Sequence, residues 1–129
     1  MASIRRWIMR SGAAAAFTCA GTLGAHAEPQ PGPGYLLVEI NVKDPEGFKE
    51  YAERATRTVE QYGGDFVILG GKTQTIEGPD PDGTFVVIKF SSVDAAKKWL
   101  DSPEYGAVKG IRHRTAETRQ YLVEGLPTE

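Results

Sequence analysis

The sequence predicts a single α+β domain: a four-stranded antiparallel sheet with its helices on one face. The alternation at 35–42 predicts a strand, because successive side chains of a strand point to opposite faces, and the strongly β-prone run at 84–90 predicts another. Helical spacing of apolar residues at 45–62, and again after position 92, places helical segments between the strands. The resulting order, β-α-β-β-α-β, is that of a ferredoxin-like domain, and 129 residues suffice for one such unit.

The first half of the domain consists of a strand, a capped helix and an interrupted strand. The strand at 35–42 has two faces, formed by Leu36, Val38, Ile40 and Val42 on one side and by Tyr35, Leu37, Glu39 and Asn41 on the other. Asp44 followed by Pro45 predicts a helix start, and the glycine pair at 63–64 ends that helix. The second strand covers 66–69 and resumes at 72–76, with a bulge or bend at the glycines between.

The second half repeats the pattern of strand, helix and strand. A hairpin loop rich in Pro and Asp at 77–83 leads to the strand at 84–90. A helix follows at 93–100. Ser102 and Pro103 then start a second helical piece that extends to about Thr118. The last strand covers 120–124, and residues 126–129 form a tail.

Residues 1–27 have the pattern of a secretory signal peptide, followed by a proline-rich linker at 28–33. The segment combines a basic start, an Ala-rich apolar stretch of about 14 residues and a small-x-small cleavage signal that ends at Ala27. This stretch is shorter than the roughly 20 apolar residues of a membrane-spanning helix. We therefore expect cleavage after Ala27 and a periplasmic or secreted domain without stable membrane association. An uncleaved tail is the alternative.

The basic start also matches the core of a twin-arginine signal. Arg5 and Arg6 are followed by one residue and then by two apolar ones, although Ile4 stands where Ser or Thr is usual. Ordinary signals also contain arginine pairs. The sequence leaves both export routes open.

Cleavage would leave an acidic chain with few metal ligands and no thiol. It removes three of the 15 basic residues and none of the 17 acidic ones, so the net charge becomes about −5. Such a chain is a poor nucleic-acid binder, because neutralising phosphates requires a basic face. Cys19 lies within the signal, and His113 is the one histidine that remains. A disulfide and a multi-histidine metal site within one chain are thus excluded.

Several short strings give the chain a family resemblance. They are Gly34-Tyr35-Leu36-Leu37-Val38, Tyr62-Gly63-Gly64, Gly70-Gly71, Glu77-Gly78, Asp101-Ser102-Pro103-Glu104-Tyr105 and Arg112. In this order and spacing they resemble the family called domain of unknown function 1330. The resemblance implies a ferredoxin-like domain over 34–125 that pairs into a homodimeric α/β barrel, without a cofactor. Leu69 departs from the pattern, since relatives often have a polar or basic residue there.

The residues of the predicted outer face are the first site candidates. Glu39 and Lys89 lie mid-strand on neighbouring central strands and on the same face, so we expect them to meet. Such a pair could bind a polar ligand or tune a general base, or it could be a structural salt bridge at a dimer seam. Tyr35 and Asn41 share this face and would line a pocket or pack at the interface.

The resemblance adds two further ligand-binding candidates. Tyr105, in the helix-restart string, would face the mouth of the pocket, or the string would serve only to start the helix. Arg112 would bind a carboxylate through its planar fork, or it would pair with Glu104, Glu117 or a partner chain. His113 beside it titrates near neutrality but is more often exposed and inert in such a position.

Three functions follow from these features. The first is a small exported domain that binds a small, partly apolar ligand in a barrel pocket. The second is a cofactor-independent monooxygenase- or isomerase-like enzyme, as the resemblance to the wider barrel group implies, with Glu39, Asn41, Arg112 and His113 as candidates. The third is an interaction module without a ligand. Fold analogy alone does not choose among them.

Overall fold

The computed structural model describes residues 30–128, which contain four strands and three helices. In chain order these are β1 (Gly34–Val42), α1 (Pro45–Gln61), β2 (Asp65–Leu69), β3 (Thr84–Phe90), α2 (Val93–Leu100), α3 (Pro103–Thr115) and β4 (Ala116–Glu124). The strands form one antiparallel sheet in the order β2-β3-β1-β4. The predicted α+β, ferredoxin-like fold is confirmed. The predicted signal peptide lies outside the described residues.

Each helix begins at a side-chain cap that the sequence supplies. The Gly47 amide donates to the Asp44 carboxylate at 3.1 Å, and Pro45 follows the cap. Ser92 accepts from the Ala95 amide at 3.0 Å, and Ser102 caps α3 in the same way. These caps satisfy amides that have no partner within the helix. They confirm the predicted helix starts.

The hydrophobic core lies between one face of the sheet and the helices. The alternation predicted for β1 is confirmed, because Leu36, Val38 and Ile40 are buried on the helix side. Ile88 and Phe90 of β3 share that side, and the helices contribute Ala55, Val59, Ala96, Trp99, Tyr105, Val108 and Ile111. We call the opposite side of the sheet, which points away from the helices, the outer face.

The predicted continuation of β2 over 72–76 is wrong. β2 ends at Leu69, and residues 70–83 form an exposed loop. Gly70 has a positive φ of 65°, which bends the chain, and its amide makes a last bond to the Phe85 carbonyl at 2.8 Å. The ladder irregularity lies between Phe66 and Ile68, earlier than the predicted bulge.

The predicted extension of the last helix to about Thr118 is also wrong. α3 ends at Thr115, and Ala116 is already extended, with φ −152° and ψ 155°. From there β4 pairs with β1 over its whole length, from Ala116 opposite Val42 to Glu124 opposite Gly34. The nine-residue ladder outweighs the local helical pattern, since propensity is weak against tertiary pairing.

The two ends of the domain are held together. The Pro33 carbonyl accepts a hydrogen bond from the Gly125 amide at 2.7 Å, and Gly32 and Pro33 are buried. A side chain at Gly32 would meet the Gly125 carbonyl oxygen at 2.0 Å, so this contact requires glycine. Among the helices of residues 30–128, none combines the length and apolarity needed to cross a membrane.

Candidate functional site

The outer face of the sheet is apolar and only partly covered. Leu37 is 36% exposed, Ile68 43% and Tyr121 58%, although each lies within the sheet. Cross-strand pairs on this face join Leu37 to Val87 and to Tyr121. A contiguous apolar surface of this kind on a small domain usually marks a binding or interaction site.

A pocket of about 520 Å³ lies on this face, and we call it the outer-face pocket. Its apolar lining consists of Leu37, Val38, Ile68, Phe85, Val87 and Tyr121. The polar lining comes from Glu39 and from residues 71–74 of the exposed loop. The loop segment thus forms one wall, and apolar side chains from all four strands of the sheet form the rest.

Glu39 pairs with Arg119, and the predicted contact between Glu39 and Lys89 is wrong. Glu39 lies opposite Arg119 of β4, and its Oε1 is 3.1 Å from Arg119 Nη2. On β3 the partner of Glu39 is Phe85, whereas Lys89 lies opposite Tyr35. The two charges are therefore four residues apart along the strand, about 13 Å. They do share the outer face, as the alternation predicts.

The other two outer-face candidates lie beyond the pocket. Tyr35 lies opposite both Lys89 and Val123, near the end of β1 that carries the Gly125 contact. Asn41 lies at the other end of β1, where its Nδ2 donates to Asp82 Oδ1 at 3.0 Å. Neither residue lines the outer-face pocket. Of the four candidates on this face, only Glu39 does so.

Tyr105 and Arg112 lie on the helix side, in a group that we call the interior polar cluster, together with Tyr51 and Thr118. Arg112 Nε donates to Tyr105 Oη at 3.3 Å, and Arg112 Nη1 donates to Thr118 Oγ1. The Tyr51 and Tyr105 hydroxyls are 3.0 Å apart. The cluster thus links α1, α3 and β4, and it is separated from the outer-face pocket by the sheet.

The predicted pairing of Arg112 with Glu104 or Glu117 is wrong. Glu104 accepts from the Tyr62 hydroxyl at 2.8 Å, and Glu117 pairs with Lys43 at 3.9 Å. Within residues 30–128 no carboxylate comes within 4.0 Å of the guanidinium of Arg112, which is only 6% exposed. The cationic end of a side chain is thus buried among neutral partners.

Three groups near the interior have altered proton affinities. Burial, followed by the Tyr105 neighbour, raises the pKa of Tyr51 well above its ordinary value, so its phenol stays protonated. The hydrogen bond to Glu104 raises the pKa of Tyr62. Partial desolvation, followed by the charges of Arg112 and Lys109, lowers the pKa of the exposed His113 below its ordinary value.

Sequence reasoning missed Tyr51, Thr118 and Arg119. The sequence does contain an indication of the role of Tyr51, because a tyrosine on the buried face of a helix needs a hydrogen-bond partner for its hydroxyl. Arg119 could be found only from the β1–β4 register, because it lies between the predicted helix, which extends to about Thr118, and the predicted strand at 120–124. Within residues 30–128 no group of three His, Cys, Asp or Glu side chains is arranged to hold a metal ion.

The contact between Glu39 and Arg119 can be tested by a double-mutant cycle, with Lys89 in the control cycle. We expect the double-mutant cycle of Glu39→Gln and Arg119→Gln to give a coupling of about 0.2–1 kcal/mol in thermal melting, the range of partly exposed ion pairs. The cycle of Glu39→Gln with Lys89→Gln is the matched control and should give none. A larger coupling in the control cycle would contradict the register.

Comparison with known proteins places the chain in a family. Residues 33–126 match the family described as Domain of unknown function (DUF1330). A comparison with curated protein sequences finds no match. Among solved structures, a protein of unknown function from Rhodopseudomonas palustris is 20% identical, with a TM-score of 0.61, covering 75% of this chain and 85% of that one.

A second similar structure is SnoaB, a cofactor-independent oxygenase from Streptomyces nogalater. It is 17% identical, with a TM-score of 0.53, and the alignment covers 75% of this chain and 96% of that chain. At this identity the similarity shows the fold alone, which is the ferredoxin-like α+β fold described above. The family match covers most of the sequence, and the protein belongs to the DUF1330 family.

Proposed function

We propose that this protein is an exported homodimeric domain that binds a small, partly apolar molecule in the outer-face pocket. The observation that supports this most is the pocket itself, in which apolar side chains of all four strands surround a volume of about 520 Å³. Ligand pockets of small molecules have this size, and they combine an apolar lining with a few polar groups.

The homodimer follows from the exposure of the outer face. Leu37, Tyr121 and Val123 are each more than one-third exposed, and water contact with this surface is unfavourable. A second copy can cover it through a two-fold axis, because one patch then meets the same patch. Pairing of this kind would also close the outer-face pocket against water.

The chemistry of the lining defines the ligand class. The rings of Phe85 and Tyr121 and the side chain of Val87 would contact an apolar body. Glu39, held by Arg119, and Lys72 with Thr73 supply charged and polar groups at the same pocket. A ligand with an apolar ring or chain and one polar end fits this arrangement.

Native mass spectrometry of the purified protein, with no ligand added, tests this function. We expect a dimer that carries an additional small mass, or that takes up an apolar anionic dye such as anilinonaphthalene sulfonate at saturation. Val87→Trp should fill the outer-face pocket while keeping it apolar, so the dimer remains and the ligand is lost. Val123→Trp is the matched control, because it makes the same change on the same face outside the pocket lining.

Each outcome of this experiment has a defined meaning. A bare dimer without saturable dye binding would contradict the binding function and favour an interaction module. Equal dye binding in wild type and in Val87→Trp would place the ligand elsewhere. A monomer at micromolar concentration would contradict the homodimer.

A cofactor-independent enzyme is the second candidate, and one observation favours it. The carboxylate of Glu39 lies in an apolar pocket, and its side chain is only 18% exposed in one chain. In a closed dimer such a carboxylate could take a proton from a bound molecule. If it does so, the bound molecule should take up deuterium during incubation in D2O, and Glu39→Gln should abolish that exchange.

Export is tested at the N-terminus of the protein. We expect protein recovered from a bacterial periplasm to begin at Glu28, because cleavage follows the small-x-small signal that ends at Ala27. Arg5→Lys with Arg6→Lys should block export only if the twin-arginine route is used. N-terminal sequencing decides, and an intact Met1 or Ala2 in the periplasmic fraction would rule out cleavage.

A further inference from the structure

The interior polar cluster contains a buried positive charge without a negative partner among residues 30–128. Arginine side chains carry a positive charge in proteins, and residue Arg112 is only 6% exposed. Its position in the last turn of α3 gives a favourable interaction with the helix dipole, but that interaction is weaker than the cost of burying a charge. The arrangement is therefore incomplete without a counter-charge.

The hydrogen bonds of Arg112 show which donors remain. Of its five N–H groups, three are engaged within the described residues, by Tyr105, Thr118 and His113. All three acceptors are neutral. Two N–H groups are left for a further acceptor, which is the number that a bidentate carboxylate or phosphate takes.

The exposed neighbour of the Arg112 guanidinium is His113. Arg112 Nη2 lies 3.3 Å from His113 Nε2, and because arginine only donates, the imidazole must accept there. His113 itself is exposed, and the hydrogen bonds made by Nη1 and Nη2 are part-buried, whereas the bond made by Nε is buried. Lys109 and Arg114 lie on the same helix, and the charge of Lys109 acts on His113.

We propose that the C-terminal half of α3 carries a binding site for a small oxyanion, a carboxylate or a phosphate group, held by the guanidinium of Arg112 beside His113. The bound anion supplies the missing counter-charge and accepts from the two remaining N–H groups. Tyr105 and Thr118 act as positioning residues, since each accepts from a different nitrogen and fixes the plane of the guanidinium. This site lies on the helix side of the sheet and does not depend on the outer-face pocket.

Titration of the purified protein with inorganic phosphate, with acetate and with chloride at equal ionic strength tests the site. The readouts are the imidazole resonances of His113 by NMR and the melting temperature. We expect phosphate or acetate to shift the imidazole resonances of His113 in a saturable way, to raise its lowered pKa and to raise the melting temperature. Chloride should have none of these three effects. A stronger response to phosphate or to acetate identifies which oxyanion the site prefers.

Two substitutions identify the residue responsible. Arg112→Gln should weaken the anion response about tenfold or more, because it removes the charge and the fork. Arg54→Gln also removes one arginine, from an exposed ion pair on α1, and should leave the response unchanged. If Arg112→Gln does not fold, Arg112→Lys keeps the charge without the fork and should weaken acetate binding more than phosphate binding.

The proposal fails on any of three results. Chloride could shift His113 as strongly as the oxyanions, which would indicate general screening. The wild type could show no saturation. Finally, a folded Arg112 variant could respond with the affinity of the wild type, which would locate any anion elsewhere.

Discussion

Val87→Asp is expected to abolish the proposed homodimer. Val87 lies in the middle of the outer face, opposite Leu37 on one strand and Ile68 on the other. A carboxylate there would be buried without a partner on dimerisation, at a cost of about 3–5 kcal/mol. Since 1.4 kcal/mol is a factor of ten, the dimer dissociation constant should rise at least roughly 100-fold.

Sedimentation velocity measures the loss of the dimer, and circular dichroism shows whether the monomer stays folded. Ala107→Asp is the control, because it adds the same charge at an exposed position of α3, on the helix side of the molecule. It should leave the dimer intact. A Val87→Asp protein that still sediments as a dimer would show that the two copies do not meet through the outer face.

The fold could be predicted because its main features are local in the sequence. Alternation in β1 separates the buried face of Leu36 and Val38 from the outer face of Leu37 and Glu39, as the structure shows. The caps at Asp44 and Ser102 likewise depend on residues within one turn. Such signals need no knowledge of what lies across the sheet.

Errors arose where strand pairing or backbone geometry decides the outcome. Residues 72–76 have β-prone side chains, but the bend at Gly70 directs them away from the β3 edge. Residues 116–118 were assigned to a helix because the pattern did not reveal the ladder with β1. For residues 116–118 the pairing with β1 overrides the local preference for a helix. For residues 72–76 the lack of a pairing strand overrides the local preference for a strand.

The candidate sites were only partly predictable for the same reason. The alternation of side chains along the strands correctly places Glu39 and Lys89 on the same face. Which residues lie opposite each other depends on the strand register, and the register places Glu39 next to Arg119. The resemblance singles out Arg112, whereas its surroundings depend on Tyr105 of the same helix and, through Tyr105, on Tyr51 of α1. Residue spacing along one element cannot reveal a contact that three elements make.

The interior polar cluster rests on the aromatic core beneath it. The ring centroids of Trp99 and Tyr105 are 4.0 Å apart, and Trp99 also packs against Phe90 at 5.7 Å. The Trp99 indole N–H donates to the Thr58 hydroxyl at 2.8 Å, so its single polar atom is satisfied. Trp99 thereby holds Tyr105, which in turn orients Arg112.

Trp99→Ala is therefore expected to destabilise the domain strongly. Trp99 is 2% exposed, and truncating a buried tryptophan costs about 3–5 kcal/mol, much of the 5–15 kcal/mol that stabilises a typical domain. Trp99→Phe keeps an aromatic ring but loses the bond to Thr58, so an intermediate loss is expected. Leu126→Ala, at an 87% exposed position, is the control and should change stability by less than about 0.5 kcal/mol. Urea unfolding of the three variants gives the order, and a Trp99→Ala protein as stable as the Leu126→Ala control would contradict this description of the core.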